Sequence, residues 1–246
     1  MKSTSGTGTA GGIVIAALVV AGGCAWHPYR VSTSPPLDRP ALQQSVLASL
    51  QHRYPAPCRL KQRLALRALG RQYDMIGYLA IAPGGDFRAL ALGEMGGRIF
   101  DLALDQGVAK IHKKPEAMPP NPLLDGVIGD IRHLFTLPAF THATLRTDLQ
   151  GRVSLSLAGE PGAMADYDFT GDEVPELRHS QESDGRRIIR EADYAEADFR
   201  LDASRRIPRR MILRNYRWHY TLEIQNLELV SGAAGPPGPE TEGTAP

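Results

Sequence analysis

The sequence has two cysteines, Cys24 and Cys58, in 246 residues, too few for the disulfide framework that staples small secreted domains. Seven histidines are present (His27, His52, His112, His133, His142, His179 and His219), yet no HExxH spacing and no CxxC pair occurs, so the usual signatures of zinc sites are missing. A GxSxG nucleophile elbow and a phosphate-binding glycine loop are missing as well. Lysine and arginine number 28 against 27 aspartates and glutamates; no global field selects nucleic acid or an acidic substrate. Long apolar runs are scarce. The longest centres on residues 13–20, IVIAALVV, well short of the roughly 20 residues that cross a bilayer as a helix.

That run has a meaning of its own. Lys2 is the one charge before it, and Ala21, Gly22 and Gly23 follow at once, then Cys24. A short apolar stretch closed by small residues reads as a secretory signal peptide over residues 1–23. The cysteine directly after it makes AGGC resemble a lipobox, in which the thiol takes a diacylglycerol and the chain is cut in front of it. Lipid attachment at Cys24 is therefore expected, with the protein held at a membrane by buried methylenes, each contributing about 0.8 kcal/mol. Ala25 stands where Asp would favour retention in the inner membrane, which points to the periplasmic face of the outer membrane. Residues 24–37, with Pro28, Pro35 and Pro36, read as a tether. Residues 231–246, SGAAGPPGPETEGTAP, have almost nothing to bury and read as a disordered tail. With Cys24 acylated, Cys58 has no partner in the chain and is expected as a small buried side chain.

Between tether and tail, the apolar pattern predicts a fold that is α+β but mostly β. Asp38 caps a helix that carries Pro40 early and Leu42, Val46, Leu47 and Leu50 on one stripe. A second helix is expected after Asn121, with Leu123, Leu124, Val127, Ile128, Ile131, Leu134 and Phe135 on one face and Pro138 as its stop. Gly126 and Gly129 lower its propensity but permit close packing. Most of the remainder alternates with period two. Strands are predicted over residues 59–71, 73–82, 87–92 and 98–105, then around 153–157, 197–201, 207–213 and 218–224, with turns at Gly84-Gly85 and Gly96-Gly97. The first strand pairs an apolar face with a basic one, Arg59, Lys61, Arg63 and Arg67. Antiparallel strands with one apolar face and few helices imply a curved antiparallel sheet or incomplete β-barrel, its open side covered by helices.

The segments GGRIFDLALDQG (96–107), NPLLDGVIGDIRHLFTLP (121–138) and RRMILRNYRWHYTLEIQNLEL (209–229), in this order of elements, make residues 38–230 resemble the LolA/LolB-like superfamily of periplasmic lipoprotein carriers and receptors. The chain looks closer still to a family of bacterial outer-membrane lipoproteins assigned to that fold. The resemblance implies an apolar barrel cavity that binds lipid or lipoprotein acyl chains. Its wall is expected from Leu64 and Leu66, Leu90 and Leu92, Phe100, Leu102 and Leu104, with Leu155, Phe199, Leu222 and Ile224 from the later strands. Leu124, Ile128, Ile131 and Phe135 form the expected lid. The receptor of that superfamily exposes an apolar residue on a loop between early strands; Met95, in the turn 93–97, is the matching residue here, though it is Met where the receptor has Leu.

No catalytic residue, metal, cofactor or nucleic-acid partner is expected. Glu191, Asp193, Glu196 and Asp198 match no calcium loop, and the arginine run from Arg205 to Arg217 reads either as a solvated face or as a contact for anionic lipid headgroups. Two alternatives stay open: a structural or assembly lipoprotein of the envelope with a filled barrel and a protein partner, and a hydrolase whose histidine, acid and hydroxyl are dispersed in sequence.

Overall fold

A computed structural model describes residues 40–53, 57–114, 126–148, 152–159, 162–170, 176–200 and 206–231. The expected signal peptide, Cys24, the tether, Leu124 and all of the tail but its first residue lie outside the described residues, as does the side chain of Phe199.

Helix α1 (Pro40–Arg53) leads into five strands: β1 (Cys58–Ala68), β2 (Arg71–Ile81), β3 (Phe87–Gly93), β4 (Arg98–Asp105) and β5 (Val108–Lys113). Helix α2 (Gly129–Phe135) follows, then β6 (His142–Thr147), β7 (Val153–Ala158), β8 (Met164–Thr170), β9 (Glu176–Ser183), β10 (Ile188–Arg200), β11 (Arg206–Asn215) and β12 (Tyr220–Ser231). All twelve strands form one antiparallel sheet in the order β5-β4-β3-β2-β1-β12-β11-β10-β9-β8-β7-β6. Among the described residues each strand but β5 and β6 pairs with both its sequence neighbours, and the first pairs with the last. The ring of strands is open between β5 and β6, and α2 lies in the connection across that break.

Local chemistry explains the hairpins. Leu69 and Gly70 both have positive φ, 51° and 72°, and so do Gln106 and Gly107, 51° and 75°. Two successive left-handed residues make the turn whose twist matches that of antiparallel strands. A leucine in that conformation is uncommon.

One face of the sheet is buried and concave. By register it carries Leu64, Met75 and Ile224, and it continues through Met211 and Leu213 to Tyr167, Leu155 and Leu145. Val46 and Leu50 from α1, and Ile131, Leu134 and Phe135 from α2, join the same core cluster. Burying a side chain of this size contributes about 1.5–3 kcal/mol, so the helices are integral to the fold. Cys58 is a buried side chain at the start of β1.

The predicted strands match β2, β3 and β4 within two residues, and the first runs three residues past the end of β1, into the turn and the start of β2. β5, β6, β8 and β9 were not predicted. Trp218 and His219 lie in the β11–β12 turn, His219 with φ 55°, and not inside a strand. Regular α2 begins at Gly129, later than expected, after one turn of wider π-type helix over residues 126–128.

Candidate functional site

Helix α2 is docked on the concave face by polar contacts. Gly129 meets the Arg190 side chain so closely that a Cβ there would lie 2.1 Å from Nη1. A Cβ at Gly126 would lie 3.2 Å from both Trp218 Cδ1 and Tyr220 Oη. These two glycines, three apart on one face, bring the helix backbone down onto β10 and the β11–β12 turn, and the wider turn lies between them. What they lose in helix propensity, about 1 kcal/mol each, allows the next contacts.

Asp130 projects into a buried pocket of donors. Arg190 Nη1 is 3.3 Å from its Oδ1, Asn215 Nδ2 donates to Oδ1 at 2.8 Å, and the Tyr220 hydroxyl donates to Oδ2. Burial pushes the Asp130 carboxyl up to about 6, against the opposing pull of Arg190, Tyr220 and Asn215. The same burial, then the Asp130 charge, raises the Tyr220 phenol. Arg190 also reaches Glu182 at 3.3 Å.

One turn on, His133 is buried with Nε2 2.9 Å from Ser180 Oγ, and Ser180 Oγ is 2.9 Å from the Tyr194 hydroxyl. Burial, then the Arg190 and His179 charges, lowers the His133 imidazole to about 3, so it is neutral at physiological pH. Its 3.8 Å approach to Glu182 is therefore not an ion pair there. A consistent assignment has Tyr194 donating to Ser180, Ser180 donating to Nε2, and Nδ1–H facing Glu182.

Serine, histidine and glutamate thus meet in space, as a hydrolase would bring them. The geometry does not suit acyl transfer. Ser180 is 0 % exposed in the middle of β9, its hydroxyl is shared by two partners, and the strand ladder occupies the surrounding backbone. A nucleophile needs access and a pair of free donors for the oxyanion. The set instead ties the helix to the sheet.

Beside this network lies a cavity of about 700 Å³, lined in part by polar groups. One wall is the β2–β3 turn at Gly84, Gly85 and Asp86, with Leu104 of β4 and Gly107. The opposite wall is Leu157 of β7 with Ala163, Met164, Ala165 and Tyr167 along β8. Gly129, Arg132, His133 and Thr136, with residues 137–139, border it, and Glu182 contributes its carboxylate. The cavity therefore occupies the break in the ring of strands, beside α2. The Thr136 hydroxyl donates to the Arg132 backbone carbonyl at 2.8 Å.

The residues expected to form the wall divide into groups. Leu64, Leu102, Leu104, Leu155 and Ile224 are buried on the concave face, and Leu66, Phe100 and Leu222 pack against them, partly buried. Of these, only Leu104 borders the cavity; α1 and α2 share the core with the others. Leu90 and Leu92 are corrected. Register puts Ala89 and Ala91 opposite Leu102 and Phe100, on the inside, so Leu90 and Leu92 stand on the convex face. In FRALALG either alternate set is apolar, and period two alone cannot choose between them. Ile128, Ile131 and Phe135 are buried on or beside α2. Met95 is fully exposed at the β3–β4 turn.

Arg190, Glu182, Ser180, Tyr194 and Asn215 were not anticipated. Their strands carry polar residues on both faces, which hides the alternation; the one available signal was Asp130 and His133, three apart on the predicted helix. Glu191 and Asp193 are held by Arg214, at 3.0 and 2.7 Å, and Asp193 also by His179, so they form ion pairs. No cluster able to hold a metal occurs among the described residues.

No protein-family model and no curated protein matches this sequence. Among solved structures, the chain is similar to a LolA superfamily protein from Nitrosomonas europaea (TM-score 0.49, 11 % identity, covering 78 % of this chain and 94 % of that one). It is also similar to a domain described as an outer membrane lipoprotein-sorting protein from Vibrio parahaemolyticus (TM-score 0.47, 8 % identity, 76 % and 91 % covered). A third is a DUF1329 family protein from Desulfovibrio piger (TM-score 0.45, 8 % identity, 77 % and 91 % covered).

Proposed function

We propose that this chain is a non-catalytic envelope lipoprotein, anchored through Cys24 at the periplasmic face of the outer membrane, that binds a lipid or lipoprotein acyl chain beside α2. One observation carries the reading: the cavity of about 700 Å³ at the break in the ring of strands, bordered by α2. Its volume lies in the range of pockets that enclose one small ligand. Leu104, Leu137, Leu157, Ala165 and Tyr167 offer an apolar path, and each methylene moved there from water contributes about 0.8 kcal/mol. The polar docking of α2 suits a lid, because buried polar contacts fix one closed position more sharply than apolar packing does.

The test is uptake of a fluorescent fatty acid by the purified full-length chain, beside an Ala165→Trp variant that fills the cavity. Saturable uptake that falls at least tenfold in a folded variant supports the reading; no uptake by the unsubstituted chain counts against it. A second reading, an assembly lipoprotein with a filled interior, is favoured by the burial of Val46, Leu50, Ile131 and Phe135 in the centre of the concave face. It predicts no uptake and a stable protein partner.

A further inference from the structure

The convex face of β1 to β4 has a composition that the fold does not require. Ile76 pairs with Leu92, and Tyr78 with Leu90, in adjacent rows of β2 and β3. The four side chains form one contiguous apolar patch on the outside of the sheet; Tyr78 is 41 % exposed and the others are half-buried. On the β1 side, Lys61 stands opposite Tyr78 and Arg63 opposite Ile76. Neither has an ion-pair partner among the described residues, although Lys61 faces Glu228 across β12 in register. On the β4 side, Arg88 and Arg98 both contact the single buried Asp101, at 2.9 and 3.3 Å. Lys113 lies beyond, opposite Asp101 on β5. Other charges nearby are Asp105, paired with Lys110, Asp74, bonded to Gln72, Glu223, paired with Arg67 and Arg210, and Glu94 in the β3–β4 turn.

The same face has the opposite balance on β8 to β10, where Asp166, Asp168, Glu191 and Asp193 project outward and the last two share the one guanidinium of Arg214. One side of the sheet thus has an apolar centre with a cationic rim, and the other side is acidic.

We infer that the convex face of β1 to β4 rests on an anionic lipid bilayer, with Tyr78, Ile76, Leu90 and Leu92 at the headgroup level and Lys61 and Arg63 on lipid phosphates. Charge complementarity selects this partner: each cation near an anionic bilayer strengthens attachment by roughly fivefold, while the acidic strands are repelled and fix which side turns down. Tyrosine is enriched at this depth because its ring is apolar and its hydroxyl is wet. The inference stands independently of any ligand in the cavity.

The test places a nitroxide at Tyr78→Cys, with Ala195→Cys on the acidic side as control, in the full-length chain on vesicles. Phosphatidylcholine alone is compared with phosphatidylcholine mixed with phosphatidylglycerol, and relaxation by a water-borne nickel chelate is read. The expected result is shielding of position 78, and not of position 195, on the mixed vesicles. Lys61→Glu with Arg63→Glu, a surface change whose fold is checked by circular dichroism, weakens attachment by on the order of a hundredfold or more. Equal exposure of positions 78 and 195 on mixed vesicles overturns the inference and leaves the face to an acidic protein. Shielding that survives both the neutral vesicles and the charge reversal also overturns it, because charge would then play no part.

Discussion

Replacing Arg190 by methionine tests how α2 is held. The guanidinium lies 3.3 Å from Asp130 and 3.3 Å from Glu182, and Arg190 and Asp130 are both buried. Methionine keeps much of the volume and removes the charge. Removing one partner of a buried pair costs about 3–5 kcal/mol, because the other charge stays behind. Glu182 is partly exposed and regains water; Asp130 does not. For a domain of this size, such a loss lowers Tm by on the order of 10 °C. The pH dependence is more specific. The Asp130 carboxyl is already pushed up to about 6 from 3.8, and loss of Arg190 raises it further. A raised carboxyl penalises folding when ionised, so the penalty is full above the folded pKa and fades as pH falls toward 3.8. Arg190→Met should therefore be most damaging at pH 8 and much less so at pH 5, with Asp130→Asn in the same chain relieving the difference. Urea unfolding at the two pH values measures this. A loss under 1 kcal/mol, or the same loss at both, would refute the role given to the pair.

The other outcomes follow from neighbouring contacts. Neutral His133 contributes stability that is complete above about 6.5 and lost as pH falls toward 3, with Asp130 opposing it between about 6 and 3.8. His133→Gln, which can still bond Ser180, should cost about 1–2 kcal/mol at pH 7 and flatten the acid limb; an unchanged acid limb in a stability titration would show that another group controls it. Gly129→Ala should destabilise by about 2–4 kcal/mol despite the better helix propensity of alanine, since its Cβ displaces the Arg190 guanidinium. Gly126→Ala, with contacts of 3.2 Å, should be far milder; thermal melts that rank the two the other way contradict this docking of α2. Intact mass of the membrane-extracted protein should match cleavage before Cys24 plus acyl chains, and Cys24→Ala should abolish that mass.

The parts of the fold legible in the sequence are those where one physical pattern acts alone. β1 to β4 are apolar runs of strand length closed by glycine turns, so their positions follow from residue order even where, as in β3, the inward face does not. β5, VAKIHK, is an exposed edge with little to bury, and β9, ELRHSQES, carries polar residues toward both faces because its inner side meets His133 and Arg190. Period two cannot show such strands. The buried positions Ile128, Ile131 and Phe135 were legible from helical spacing, whereas the polar network was not: its members come from α2, β9, β10, β11 and β12, and only tertiary structure brings them together. The error at Leu90 and Leu92 has one cause. Alanines took the inside of β3, and the leucines were left for a surface whose own purpose the alternation does not reveal.

The most direct test of an acyl-binding cavity is a cross-linking map made with a photoreactive fatty acid on the full-length chain. Adducts concentrated on Leu104, Leu137, Leu157, Ala165 and Tyr167, and displaced by unlabelled fatty acid, are the result expected from the cavity beside α2. Adducts scattered over the convex face, or none that competitor displaces, would contradict it.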